Sequence, residues 1–148
     1  MLTIEVADQG FRAYLQKLDE QLGDLTPVMQ SIGMVMESRV SGRFETRTDP
    51  SGGSWAAWMP ATLATYPEDG NRRLLDRYGD MLASLNHRAD ARSVTIGFGN
   101  PVAAYHEWGT EKMARRGMLF DDPNAGTLGA EDEAAVLDVL QQWLGGLG

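Results

Sequence analysis

Cysteine is absent from this chain, so it can form neither a disulfide framework nor a thiolate metal site. That fits synthesis in a reducing cytoplasm. Histidine is nearly absent as well. His87 and His106 are the only two, and a two-histidine metal site would have to recruit them from separate elements. No apolar run reaches the ~18–20 residues of a membrane span. The start, Met1-Leu2-Thr3-Ile4-Glu5-Val6, lacks the basic and apolar regions of a signal peptide. Positive charge is scarce, with 13 Lys and Arg against 21 Asp and Glu, a formal net charge of −8 and a pI of about 4.6. Affinity for DNA comes largely from cationic side chains that displace counterions, so sequence-independent gripping of DNA is disfavoured. An acidic wall, by contrast, repels phosphate and lets DNA slide past.

What is present reads as an ordinary folded domain. At 148 residues with 43% hydrophobic content, the chain predicts a single domain over 1–148 with one real core. Leu2, Ile4 and Val6 alternate with polar residues, as in a short half-buried strand. Phe11, Leu15, Leu18 and Leu22 form one helical stripe ended by Gly23. Thr26-Pro27 offers an N-cap and a first-turn proline for a second helix, with Val28, Ile32, Val35, Met36 and Val40 facing inward toward Phe44. Leu74, Leu75, Tyr78, Met81, Leu82 and Leu85 return to helical spacing. Ser93 to Phe98 is the clearest strand, closed by Asn100-Pro101. Ala103 to Trp108 fits a short helix or a strand, and Gly109 ends it. A final helix starts near Glu131-Asp132-Glu133, acids that suit a helix N-terminus. It carries Ala135, Leu137, Leu140, Trp143 and Leu144, and Gly145-Gly146 stops it. The fold class expected is α+β: a small antiparallel sheet flanked by N-terminal helices and a C-terminal helix.

Between the second helix and Leu74 the composition changes. A loop of about 46–71 contains Asp49-Pro50, Gly52-Gly53, Pro60, Pro67 and Gly70, a density that excludes a long helix or a central strand. Trp55 and Trp58 lie within it, and exposed indoles need something to pack on. Either they fold back on their own core or they dock onto a partner.

Signatures of catalysis are poor. His106-Glu107 resembles the start of a zincin helix, but Thr110 stands where the second histidine should be. No Gly-x-Ser-x-Gly elbow occurs. Gly97-Phe98-Gly99 lacks the third glycine of a nucleotide loop, since Val102 occupies that position, and no P-loop lysine follows. Asp121-Asp122 is the most visible carboxylate pair, and a solvated turn explains it better than acid–base chemistry. Arg115-Arg116, with Lys112 nearby, is the main basic cluster. It suits phosphate, or equally a salt bridge to an acidic neighbouring subunit. Arg72, Arg73 and Arg77 read as a solvated strip. No catalytic residue, metal or cofactor is expected. A monomeric binding module docking through the Trp loop, and a small hydrolase or metalloenzyme, are the alternatives to a structural role.

Three segments in order are familiar. The first is Asp49-Pro50-Ser51-Gly52-Gly53-Ser54-Trp55-Ala56-Ala57-Trp58-Met59-Pro60-Ala61-Thr62. The second is the set Leu75, Gly79, Met81 and Ser84, followed by Leu85. The third is Ala104-Tyr105-His106-Glu107-Trp108-Gly109-Thr110, then Met113-Ala114-Arg115-Arg116-Gly117-Met118-Leu119. Their order and spacing resemble the Mu-like phage virion morphogenesis family of tail-completion and neck proteins, from about Phe44 to Phe120. Ala114 and Gly117 stand where that family favours prolines and Met118 where it favours an aromatic; Arg116 keeps the expected arginine.

The resemblance implies a non-catalytic virion protein, assembled in the host cytoplasm, that forms a ring where tail meets head. Its partners would be further copies of itself, sixfold in related rings, together with tail-tube and neck or connector proteins. DNA would pass through the lumen without specific binding, and no membrane is involved. On this reading Trp55 and Trp58 reach a neighbour, Arg115 and Arg116 pair with acids across the subunit boundary, and Trp108 is a core residue or an edge contact, the core being favoured.

Overall fold

A computed structural model describes residues 2–5, 10–56, 80–110 and 114–147. Strand β1 (Leu2–Glu5) is followed by helices α1 (Arg12–Leu22) and α2 (Thr26–Thr46). After a short helix α3 (Asp80–Ala83) come β2 (Leu85–Ala89) and β3 (Ser93–Phe98), then α4 (Ala103–Trp108) and α5 (Ala130–Leu147). The three strands form one antiparallel sheet in the order β1-β3-β2, with Leu2 opposite Ile96 and Leu85 opposite Phe98. The α+β class read from the sequence is the one observed.

The period-2 pattern explains why the sheet is covered on one side. Leu2, Ile4, Val94 and Ile96 are buried, while Thr3 and Thr95 on the opposite face join their hydroxyls at 3.1 Å in an exposed pair. Helix α2 lies on β2 and β3, and α5 packs on both α2 and α1. Leu15 and Leu18 of α1, Ile32, Met36, Val40 and Phe44 of α2, and Val136, Val139 and Leu140 of α5 complete the core. At Gly33 helix and sheet approach closely: a Cβ there would sit 2.4 Å from the His87 ring and 3.0 Å from a Val94 methyl, so a larger residue would displace these side chains.

Several boundaries differ from the sequence expectation. Thr26 is the first residue of α2 and not its cap, a position that Leu25 fills without a side-chain hydrogen bond; Asp24, one residue earlier, accepts from the Thr26 backbone N–H at 2.9 Å and its hydroxyl at 2.7 Å. Leu85, expected to end a helix, opens β2, because its side chain completes the buried face opposite Phe98. Helix α5 runs through Gly145 and Gly146 to Leu147, since two exposed glycines weaken a helix without forcing it to end. Of the helical run from Leu74, the Leu74–Gly79 part lies outside the described residues, as do Pro60, Pro67, Gly70 and the strip Arg72, Arg73 and Arg77.

Candidate functional site

The chain leaves β3 through a turn in which Asn100 Oδ1 accepts from the Val102 N–H at 3.0 Å. Ser84 fastens this turn to α3: its hydroxyl donates to the Met81 carbonyl at 2.6 Å and accepts from the Asn100 N–H at 3.1 Å. That is the structural work of the serine in the Leu–Gly–Ser motif. Ala103–Trp108, open between helix and strand on periodicity, is a short helix.

Helix α4 has two unlike faces. Ala103 and Glu107, four residues apart, point inward and are buried. Both Glu107 oxygens are engaged: Oε2 accepts from the Met118 N–H at 2.7 Å, and Oε1 from Leu119 at 2.7 Å and Phe120 at 2.8 Å. A buried carboxylate facing three backbone donors is a strong, charge-assisted clamp. The clamped segment is held elsewhere too. Arg115 donates from Nε to the Glu107 carbonyl and from Nη2 to the Phe120 carbonyl, both at 2.7 Å. Arg43 Nη1 reaches the Met118 carbonyl at 2.5 Å, and the Trp55 indole N–H reaches the Gly117 carbonyl at 2.9 Å. Met118, Leu119 and Phe120 are buried in consequence. A Cβ at position 117 would lie 2.7 Å from the Arg115 guanidinium, so a larger residue there would displace that side chain from its place over the segment.

The outer face of α4 is left bare. Val102, Tyr105 and Trp108, three residues apart, are 46%, 58% and 46% exposed. Trp108, assigned to the core from sequence, instead rests one edge on Phe120 (ring centroids 6.2 Å apart) and shows the rest to solvent. As the next residue along the helix, it is turned about 100° away from the buried Glu107. From Gly97 to Thr110 the acidic and basic side chains, the tyrosine phenol aside, are those of His106 and Glu107. Glu107 is buried, and the His106 imidazole is held below its ordinary pKa by burial and by the Arg116 charge, so it is neutral at neutral pH. An uncharged aromatic patch on a chain of net charge −8 has the composition of an interface core.

The other site residues expected from sequence are placed as follows. Trp55 takes the first of its two alternatives: it is 6% exposed, edge-on to Phe44 at 5.5 Å, with its N–H satisfied within the chain. Arg115 reaches the two backbone carbonyls above. Arg116 donates from Nε to the Ala56 carbonyl at 2.8 Å, and its backbone N–H to His106 O at 2.8 Å. The three residues therefore gather around one segment of their own chain. Trp58 and Lys112 lie outside the described residues. Asp122 caps an exposed turn, accepting from the Asn124 and Ala125 N–H groups at 3.0 and 3.3 Å. Among the described residues, no three His, Asp or Glu are grouped to hold a metal. No helix among them is long and apolar enough to cross a membrane.

Comparison with known proteins is decisive at this point. The model of the phage virion morphogenesis family matches residues 6–145. The chain belongs to that family. It is also 25% identical, over 97% of its own length and 96% of the other's, to the Mu-like prophage FluMu G protein 2 of Haemophilus influenzae. No solved structure matches it. Family membership makes this chain a phage protein of virion morphogenesis. The clamped α4 and its bare outer face are therefore features of a protein that takes part in building a virus particle.

Proposed function

We propose that this chain is a structural ring subunit at the head–tail junction of a tailed phage, where it completes or terminates the tail and takes part in joining it to the head. The observation that carries the reading is the exposed, uncharged stripe Val102–Tyr105–Trp108 on a helix anchored from beneath by Glu107. Rigid aromatic groups lose little entropy on binding and dominate interface energetics. In a ring each subunit offers its two neighbours different surfaces, so the contact is heterologous and closes on itself. Tail-tube proteins on one side and neck or connector proteins on the other are the further partners, and sixfold closure is the number borrowed from related rings.

The charge suits this place. A lumen lined by a subunit of net charge −8 repels DNA phosphates, whereas a basic lumen would hold the DNA and slow its exit. The role is architectural and needs no catalysis: the best candidate acid, Glu107, has both oxygens bound to backbone N–H groups.

Interrupting the gene in a producing phage tests the reading. Electron microscopy of the lysate is expected to show filled heads and tails that stay unjoined, or tails of uncontrolled length. Normal joined particles would remove the protein from the junction.

A further inference from the structure

Among the described residues the exposed large hydrophobics are four, and they fall in two places. Three form the convex stripe on α4. The fourth, Met34, stands 64% exposed at the rim of a groove of ≈ 440 Å³ between α2 and the α3–β2 segment. Leu82 and Leu85 supply the apolar wall of this groove, and Glu37, Ser38 and Ser41 supply its polar wall. One Glu37 oxygen, Oε2, accepts from His87 Nδ1 at 2.5 Å; the other makes no hydrogen bond among the described residues. We propose that the groove receives Tyr105 and Trp108 from α4 of a second copy of this chain, the repeating contact of the ring. The proposal rests on the ring reading above and names the contact that builds it.

Three properties fit the two surfaces to each other. Shape is the first: one is convex and aromatic, the other concave and lined by Met34, Leu82 and Leu85. Hydrogen bonding is the second. The Tyr105 hydroxyl and the Trp108 indole N–H are donors without a partner among the described residues, while the groove offers the second Glu37 oxygen and the Ser38 and Ser41 hydroxyls as acceptors. An exposed amphipathic aromatic beside an apolar wall with an acceptor at its end is the usual setting of an interface anchor. Charge is the third. Copies of a −8 subunit repel one another over most of their surface. The α4 stripe carries no charge, and the single carboxylate of the groove is already bonded to His87. Two copies can approach here without opposing like charges. Because knob and groove are different surfaces of one chain, the contact is head-to-tail and propagates to closure.

The absence of cysteine makes the test clean. A phage is made to produce the chain with both Met34→Cys and Ala104→Cys, the second on an exposed α4 residue that leaves Tyr105 and Trp108 in place, and purified particles are treated with a short bis-maleimide. Linked peptides joining position 34 to position 104 are expected, with a ladder of multimers on a denaturing gel. Adding Trp108→Glu is expected to cut the 34–104 link by roughly tenfold or more, as for loss of an anchor worth at least 1.4 kcal/mol. The melting temperature of the purified Trp108→Glu chain stays within a few degrees of its parent, which separates lost contact from lost fold. Particles that contain the chain but give 104–104 links, or none, overturn this contact while leaving the ring reading in place. Particles that lack the chain overturn the ring reading, and the contact with it.

Discussion

Arg43 on α2 and Asp132 in the first turn of α5 form an ion pair between two almost wholly buried side chains, 89 positions apart in sequence. Arg39 donates to the other Asp132 oxygen at 2.8 Å, so one carboxylate ties two turns of α2 to the start of α5. Arg43 also reaches the Met118 carbonyl, which links this pair to the segment beneath α4. The pair thus joins the core helices to the platform of the proposed interface.

Removing one partner leaves an uncompensated buried charge. Asp132→Ala is expected to cost about 3–5 kcal/mol, measured by urea denaturation. The double change Arg43→Met with Asp132→Leu leaves no such charge and is expected to be markedly milder. Equal losses in both variants would show that the pair's contribution is packing alone.

Trp55 carries a related expectation. A 6% exposed indole edge-on to Phe44 and bonded to the Gly117 carbonyl belongs to the subunit's own stability. Trp55→Ala is expected to lower stability by about 3–5 kcal/mol. A variant that keeps its full denaturation midpoint and loses only assembly would return Trp55 to the interface.

Glu107→Gln keeps the size of the side chain and replaces one of the two acceptor oxygens with a donor. At least one of the Met118, Leu119 and Phe120 N–H groups would then lose its partner, at about 1–3 kcal/mol or more. Hydrogen exchange should quicken at these three amides first, because the clamp acts on them directly. Unchanged protection there would mean that the buried side chains alone hold the segment.

His106 predicts the shape of an acid transition. Burial, then the charge of Arg116, lower its folded pKa below the ordinary 6.5, and its Nδ1 is buried with no hydrogen-bond partner among the described residues. The unfolded chain therefore takes up a proton at a pH where the folded protein does not. This contribution is fully present above about 6.5, is lost as pH falls from there toward the folded pKa, and is constant below it. His106→Gln should remove that slope from the melting temperature measured between about pH 5 and 8. Parallel curves for the two proteins would contradict it.

The parts legible in the sequence were those written in local pattern. The stripe Phe11–Leu22, the alternation Val94–Phe98 and the Thr26-Pro27 start all correspond to observed elements. β2 was not legible, because Leu-Asn-His-Arg-Ala buries one residue fully and pairs on one side only among the described residues. Asp132 looked like an ordinary first-turn acid; nothing local says that Arg43 meets it. In sequence Glu107 reads as a fragment of a metal motif or of the third familiar segment, whereas its role depends on amides 11 to 13 residues away. Once Ala103–Trp108 is helical, the three-residue spacing of Val102, Tyr105 and Trp108 marks one face. Periodicity over so short a segment leaves helix and strand equally open, which hides that face and with it the exposure of Trp108.

The most direct measurement is a reconstruction of the neck of the intact virion. The account predicts closed-ring density for this chain where tail meets head, with α4 of each copy in the α2–β2 groove of the next and acidic side chains facing the DNA. A virion whose neck lacks this chain, or a ring with a predominantly basic lumen, would contradict it.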